Sequence, residues 1–234
     1  AIVPTRLPQG PLLREGCWAG PDASGSGVVN VNTEIFLEAG DVAPDFVLMD
    51  IDGRPVHLYE QLAESPVLIQ FGSYTCPIYQ GHIRQTDRIA GHFSDVEFWV
   101  VYVPEAHPVG ERSPYSGNIA PPDRSELPHA WTYDERVAHA RQLELGPLQR
   151  LLVDDMSPRR MSNPVWCTYG TAPNSAFLIN QEGRVEAAHR WFDPQTMVGS
   201  IEAMLGLPPR DRGENRRRGD SRSESRRRSD RPPR

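Results

Sequence analysis

Two continuous apolar runs, PVLIQF at 66–71 and VEFWVVYV at 96–103, constrain this chain more than any other feature. Short runs without polar alternation are the signature of strands buried on both faces, so helices must cover both sides of the sheet that holds them. Between the runs, Pro77 suits the first position of a helix, and Ile83, Thr86, Ala90 and Phe93 keep helical spacing behind it. Strands that alternate with helices in this way give an α/β layered fold.

The flanking segments extend the pattern. DFVLMDIDGRPVHLYEQL reads as a hairpin, with alternating apolar residues on either side of Asp52-Gly53. TYDERVAHARQLELG reads as a helix, opened by the Thr132/Glu135 capping-box pair and stopped by Gly146. LQRLLVDD (148–155) is the next strand. NSAFLIN and RVEAAHR form a second hairpin through Glu182-Gly183. Asp193-Pro194 opens a last helix that places Met197, Val198, Ile201, Met204 and Leu205 on one face and ends at Gly206. The predicted order is hairpin, β, α, β, α, β, hairpin, α.

Three regions follow: an arm over 1–38, rich in Pro, Gly, Ser and Asn and expected to be loosely held; a folded domain over 39–206; and an Arg-rich tail over 207–234. The 234 residues carry a net charge of −6, which hides two opposite parts. Residues 210–234 hold 11 Arg against 5 acids, whereas 1–209 hold 14 Arg against 26. From Pro208 on the tail has no apolar residue but proline, so it cannot build a core and is expected to be disordered. Its interspersed acids argue against nucleic acid as its partner. No apolar run approaches the roughly 18–20 residues that span a bilayer, and no signal-peptide pattern opens the sequence, so no membrane partner is expected. Three widely spaced cysteines, Cys17, Cys76 and Cys167, resemble neither a disulfide framework nor a zinc site, which favours a reducing, cytoplasmic location.

Cys76 stands where the first buried strand gives way to a helix, one residue before Pro77. Unpaired amides and the positive end of the helix dipole favour a thiolate there, so a depressed pKa is expected. Ser73 and Thr75 add hydroxyls nearby. His107 and Glu105 follow the second buried strand, whose carboxyl end should lie beside that of the first, where ligands of open α/β sheets gather. An imidazole there moves protons near neutral pH, and a carboxylate orients it. His57, His82, His92 and His139 show no metal-ligand spacing, and no metal site is expected.

The stretches GDVAPDFVLMDIDGRPVHL, PVLIQFGSYTCP and TAPNSAFLI resemble the thioredoxin superfamily in its redoxin (peroxiredoxin-type) branch, which implies that fold with an N-terminal β-hairpin. Pro173 occupies the position of that superfamily's cis-proline. FGSYTCP followed by VYVPEAHP narrows the likeness: over about 39–206 the chain resembles the iodothyronine deiodinases, whose pattern is Gly-Ser-x-Thr-selenocysteine-Pro and later Tyr-x-x-Glu-Ala-His. Cys76 stands where the animal enzymes carry selenocysteine, and Pro104 interrupts the acidic pair before Ala-His.

The resemblance implies a thiol-dependent oxidoreductase of thyroxine 5′-deiodinase type that removes iodide reductively from iodinated aromatic substrates. Cys76 is its nucleophile, with Ser73, Thr75, Tyr102, Glu105 and His107 as further catalytic residues. His129, about one residue out of register with the family's second histidine, is the candidate for a second proton transfer. Arg190 matches an arginine that holds the substrate's amino-acid end. Cys167 is a candidate resolving thiol, since it lies six residues before Pro173 and no Cys-x-x-Cys exists. No bound cofactor is implied, only an external thiol reductant such as thioredoxin, glutathione or dithiothreitol; a homodimer stays open. Two other functions remain open as well. One is a thiol peroxidase, although Ser73 replaces the threonine of the usual peroxidase motif and no proline precedes it. The other is a non-catalytic binding module on the same scaffold.

Overall fold

The computed structural model describes residues 10–14, 16–17, 32–119, 127–157 and 162–208. Its sheet is built from β1 (Val47–Asp50), β2 (Pro55–His57), β3 (Val67–Gly72), β4 (Glu97–Tyr102), β5 (Gln149–Val153), β6 (Ala176–Ile179) and β7 (Val185–His189). The helices are α1 (Leu58–Leu62), α2 (Pro77–Ala90), α3 (Tyr133–Ala140), α4 (Pro164–Tyr169) and α5 (Pro194–Met204). The strands form one sheet in the order β2-β1-β5-β4-β3-β6-β7. β3, β4 and β5 run parallel at its centre, and the two hairpins add antiparallel pairs at its edges.

The apolar runs are where the sequence demands them. All six residues of β3 are buried, and successive side chains go to opposite layers. Val67, Ile69 and Phe71 pack with Leu58 and Leu62 of α1 and with Val165, Trp166 and Tyr169 of α4. Leu68 packs on the other face with Met197 and Ile201 of α5 and with Ile89 and Ala90 of α2. The parallel register Gly72↔Tyr102 brings β3 and β4 to the same end together, and Val103 N donates to Gly72 O at 3.1 Å. The segments that leave the two strands, 73–76 and 103–107, therefore start side by side.

Local signals explain the element ends. Asp50, not the turn residues alone, locks the first hairpin: its carboxylate accepts from Asp52 N and Arg54 N. The second strand of that hairpin stops at His57, and LYEQL, expected to continue it, coils into α1, which buries Leu58 and Leu62 on one side. Thr132 and Glu135 form the expected capping box, but α3 ends at Ala140 rather than near Gly146. Asp87 explains Gly146: its carboxylate takes the Gly146 amide at 2.9 Å, which holds the chain in a loop. α4 has no counterpart among the predicted elements.

The tail 210–234 and most of the arm 1–38 lie outside the described residues. Where the arm is described it is not loosely held, which corrects that expectation for 32–38 and for 10–17 in part. Phe36 N donates to Tyr169 O at 2.9 Å, Ala172 N to Glu34 O at 3.2 Å, and Arg14 N to Thr168 Oγ1 at 2.7 Å. Leu37 is buried in the core. A disulfide joins Cys17 to Cys167 across 150 residues.

Candidate active site

Gly72 ends β3 with the Tyr79 ring packed against its Cα; a Cβ there would meet that ring at 2.4 Å. This close approach brings the first turn of α2 back over the strand end and buries Cys76, the N-cap residue, to 2% exposure. Among the described residues Cys76 is the free thiol.

The segment after β4 is tied to the Cys76 segment at three points. Thr75 donates to the Glu105 carboxylate twice, from its amide at 3.0 Å and its hydroxyl at 2.7 Å. The same hydroxyl accepts from His107 N at 3.0 Å. Ser73 Oγ accepts from Ala106 N at 3.2 Å. Tyr102 completes the frame: its hydroxyl donates to the second Glu105 oxygen and accepts from Tyr74 N at 3.2 Å. Glu105 is 2% exposed, so a buried carboxylate is held by hydrogen bonds on both oxygens, as a charge in the interior must be. The structure thus brings together Ser73, Thr75, Cys76, Tyr102, Glu105 and His107.

The electrostatics differ from the expectation for Cys76. Burial pushes its thiol up, and this outweighs the opposing effect of the Ile78 and Tyr79 amides at the start of α2; the Glu105 charge adds to the rise. The depressed pKa expected from the helix start is corrected: desolvation of a thiolate in this cluster is the larger effect. His107 is half-buried, and burial lowers its pKa. Burial keeps the Tyr102 phenol protonated far above its ordinary range, helped by the Glu105 charge, so it serves as a donor.

His129 lies deeper. Its Nε2 is 3.1 Å from Arg112 O and its amide donates to Glu111 at 3.0 Å, so it fastens the loop after His107. His139, on α3, comes closer to the carboxylate: its Nδ1 is 3.6 Å from Glu105 Oε1. His139 carries no local sequence signal for this contact, because its partner lies on another element. Arg136, one turn before it, is 1% exposed and donates to Asn163 Oδ1 at 2.5 Å and to Asp154 O at 3.2 Å. The Asp154 carboxylate takes Trp166 N at 2.8 Å and Val165 N at 3.2 Å, and burial raises its pKa to about 6. These buried charges carried no sequence signal beyond their residue types.

Three other candidates sit apart from this frame. Pro173 is buried in the loop that enters β6, beside the β3 end, where Phe71 N donates to Ser175 O at 2.9 Å. Arg190 follows β7 at the same end of the sheet, two strands from β3, and its Nη2 donates to Thr33 Oγ1 at 2.7 Å. Cys167 is fully buried in α4 and bonded to Cys17. A resolving role for Cys167 is thereby corrected: its sulfur is committed to the arm, as a thiol that closes a distant loop rather than one facing Cys76. No group of three or more His, Cys, Asp or Glu able to hold a metal occurs among the described residues.

The family model described as iodothyronine deiodinase matches residues 28–189, more than half of the chain. The chain belongs to the iodothyronine deiodinase family. The type II iodothyronine deiodinase of Bos taurus is 30% identical over 173 residues, covering 70% of this chain and 59% of that protein. The Homo sapiens protein of the same name is 30% identical over 173 residues, with 70% and 58% covered. The chain thus spans less than two thirds of the length of these relatives. Among solved structures, an uncharacterized conserved protein from Geobacillus kaustophilus superposes with a TM-score of 0.54 at 16% identity, covering 75% of this chain and 87% of that one. A DsbE-type thiol:disulfide interchange protein from Chlorobium tepidum gives 0.50 at 16% identity, with 73% and 99% covered. The fold is thioredoxin-like, and the family's two motifs are the segments that the hydrogen bonds of Thr75 and Ser73 join. No helix among the described residues is long and apolar enough to cross a membrane.

Proposed function

We propose that the chain is a thiol-dependent reductive deiodinase that acts on iodinated aromatic, thyroxine-like substrates. The observation that carries the reading is Thr75, which binds the Glu105 carboxylate with two donors and the His107 amide with its hydroxyl, one residue from the Cys76 nucleophile.

The Cys76 thiolate attacks iodine along the carbon–iodine axis. A sulfur–iodine bond forms, the carbon–iodine bond breaks, and its electron pair goes to the ring carbon, which takes a proton. Sulfur is oxidised by two electrons and carbon is reduced by two. His107 delivers the proton; Glu105, held by Thr75 and Tyr102, fixes the loop that carries the imidazole. An external thiol then displaces iodide from the sulfenyl iodide to give a mixed disulfide. A second thiol frees Cys76 and leaves as the external disulfide. Arg190, which holds Thr33 Oγ1 and lies 3.8 Å from the Glu34 carboxylate, would exchange these contacts for a substrate carboxylate.

Glutathione-reduced cytoplasm opens most disulfides, so the Cys17–Cys167 bond supports an oxidising location over the cytoplasm expected from the cysteine count. The test of the function is iodide release from a panel of iodinated phenols and iodothyronines, with dithiothreitol as reductant. Release from wild type that is lost in Cys76→Ser supports the reading. Fast peroxide consumption without iodide release replaces it with the thiol peroxidase, and neither activity leaves a binding module.

A further inference from the structure

Helix α3 is held at several points along its length. At its start, Thr132 Oγ1 accepts from Glu135 N at 3.2 Å, and the Glu135 carboxylate takes Thr132 N at 3.0 Å and Trp131 N at 2.7 Å. At its end, Ala140 is fully buried in the cluster that holds Cys76, Tyr102 and Leu151. Between them, buried Arg136 fastens the helix to Asp154 O and Asn163 Oδ1. A helix fixed in this way gives His139, one residue before Ala140, a set position over the end of the sheet.

That position faces Glu105. His139 Nδ1 is 3.6 Å from Glu105 Oε1, and the two side chains are 12% and 1% exposed. Nδ1 itself is buried without a hydrogen-bond partner. An ionised carboxylate has roughly four acceptor sites, shared equally between its oxygens. Oε2 takes the Thr75 amide and hydroxyl, which fill it. Oε1 takes the Tyr102 hydroxyl, which leaves a site open on the oxygen that His139 faces. A neutral imidazole has a proton on one nitrogen and a lone pair on the other. A lone pair on Nδ1 would set two acceptors against each other in the interior, whereas an N–H meets the charge in front of it.

We propose that His139 is a positioning residue for the reaction: it holds its proton on Nδ1, aimed at the remaining acceptor site of Glu105, and so braces from α3 the loop that presents His107. The neutral Nδ1–H tautomer and the imidazolium both have this proton, so the contact needs no particular charge on the ring. The path to His107 is short. Its amide donates to Thr75 Oγ1, whose own proton is given to Glu105, so a Glu105 side chain that turns releases both. A separation of 3.6 Å is longer than an ordinary hydrogen bond, and such contacts tighten when substrate fills a site. The tautomer stands on the geometry of the ring and the carboxylate, and only its effect on turnover rests on the deiodinase reading.

The test has two readouts on the full chain. The first is the imidazole nitrogen-15 spectrum of protein labelled at its histidines, with the His139 signals assigned by their loss in His139→Asn. They should show a protonated Nδ1 at neutral pH, and Glu105→Gln should shift that signal. A lone pair on Nδ1, with the proton on Nε2 alone, overturns the proposal. The second is turnover. Asparagine places an N–H donor where Nδ1 stands, and phenylalanine places none. His139→Phe should lower kcat for iodide release about tenfold with KM unchanged, as expected for one lost hydrogen bond to a charged group, and His139→Asn should recover most of it. Equal losses in the two variants, or no loss in either, overturn the positioning role. If the phenylalanine variant folds poorly, the spectrum still decides. A protonated Nδ1 that answers to Glu105→Gln in a protein that releases no iodide would sink the deiodinase reading and leave the contact standing.

Discussion

Cys76 and Cys167 occupy two helices that open alike, each with a proline at the first position: Pro77 after Cys76, Pro164 after Asn163. Both sulfurs are buried, yet one is free and the other is spent in a disulfide. Cys76 is itself the N-cap, so its thiol sits at the open end of α2, where the Ile78 and Tyr79 amides favour the thiolate. Cys167 lies four residues inside α4, where those amides are taken by the Asp154 carboxylate instead. One residue's place relative to a helix end thus separates a free thiol from a staple. Arg136 joins the two regions, since its guanidinium holds Asn163 at the head of α4 while its charge acts on Tyr102 and Glu105.

Replacing the sulfurs separates the two cysteines most sharply. Cys76→Ser should abolish iodide release and leave the melting temperature where it is, because the hydroxyl fits the same N-cap position. A serine variant that still turns over would remove Cys76 from the chemistry. Arg136→Met should cost about 3–5 kcal/mol in urea unfolding, because it strands the buried Asp154 charge and the Asn163 amide oxygen. A loss below 1 kcal/mol would mean that the two regions are not joined through this side chain. Cys17→Ser should cost about 2–4 kcal/mol of stability while iodide release per folded molecule stays unchanged. Activity that falls with the disulfide would make the staple part of the site. The smallest effect belongs to Arg190→Ala: KM for carboxylate-bearing substrates should rise roughly tenfold, with simple iodophenols spared.

What the sequence made legible is what depends on neighbours in the chain. β3 and β4 follow from their apolar runs, α2 from Pro77, α3 from its capping box, and both hairpins from their Asp-Gly and Glu-Gly turns. The Cys76 and Glu105–His107 segments were legible as motifs, and their juxtaposition follows from two adjacent strands ending together. What escaped depends on contacts that no local pattern encodes. α4 has six residues, too few to display a period, and its one signal, Pro164, reads equally well as a turn. The Cys17–Cys167 pair spans 150 residues without a spacing rule. His139 reaches Glu105 only because α3 lies over the end of the sheet. The direction of the Cys76 shift reversed for the same reason: the helix start acts locally and favours the thiolate, whereas Tyr79, Tyr102 and Ala106 remove it from water and prevail.

That reversal bears on the chemistry directly. With the Cys76 pKa raised and that of His107 lowered, the pair that reacts, thiolate with imidazolium, is the minor tautomer of the neutral pair. Its fraction is constant between the two values and falls outside them, on the acid side as thiol and imidazole are both protonated and on the alkaline side as the imidazolium partner of the thiolate disappears. The measurement that tests this most directly is kcat/KM for iodide release against pH at saturating dithiothreitol. The expected profile is a plateau with an acid limb below the ordinary histidine value of about 6.5 and an alkaline limb above the ordinary thiol value of about 8.5. A rate that rises with a single midpoint between those values, and stays flat on the alkaline side, would mean a freely ionising Cys76 with no proton donated by His107, and would contradict it.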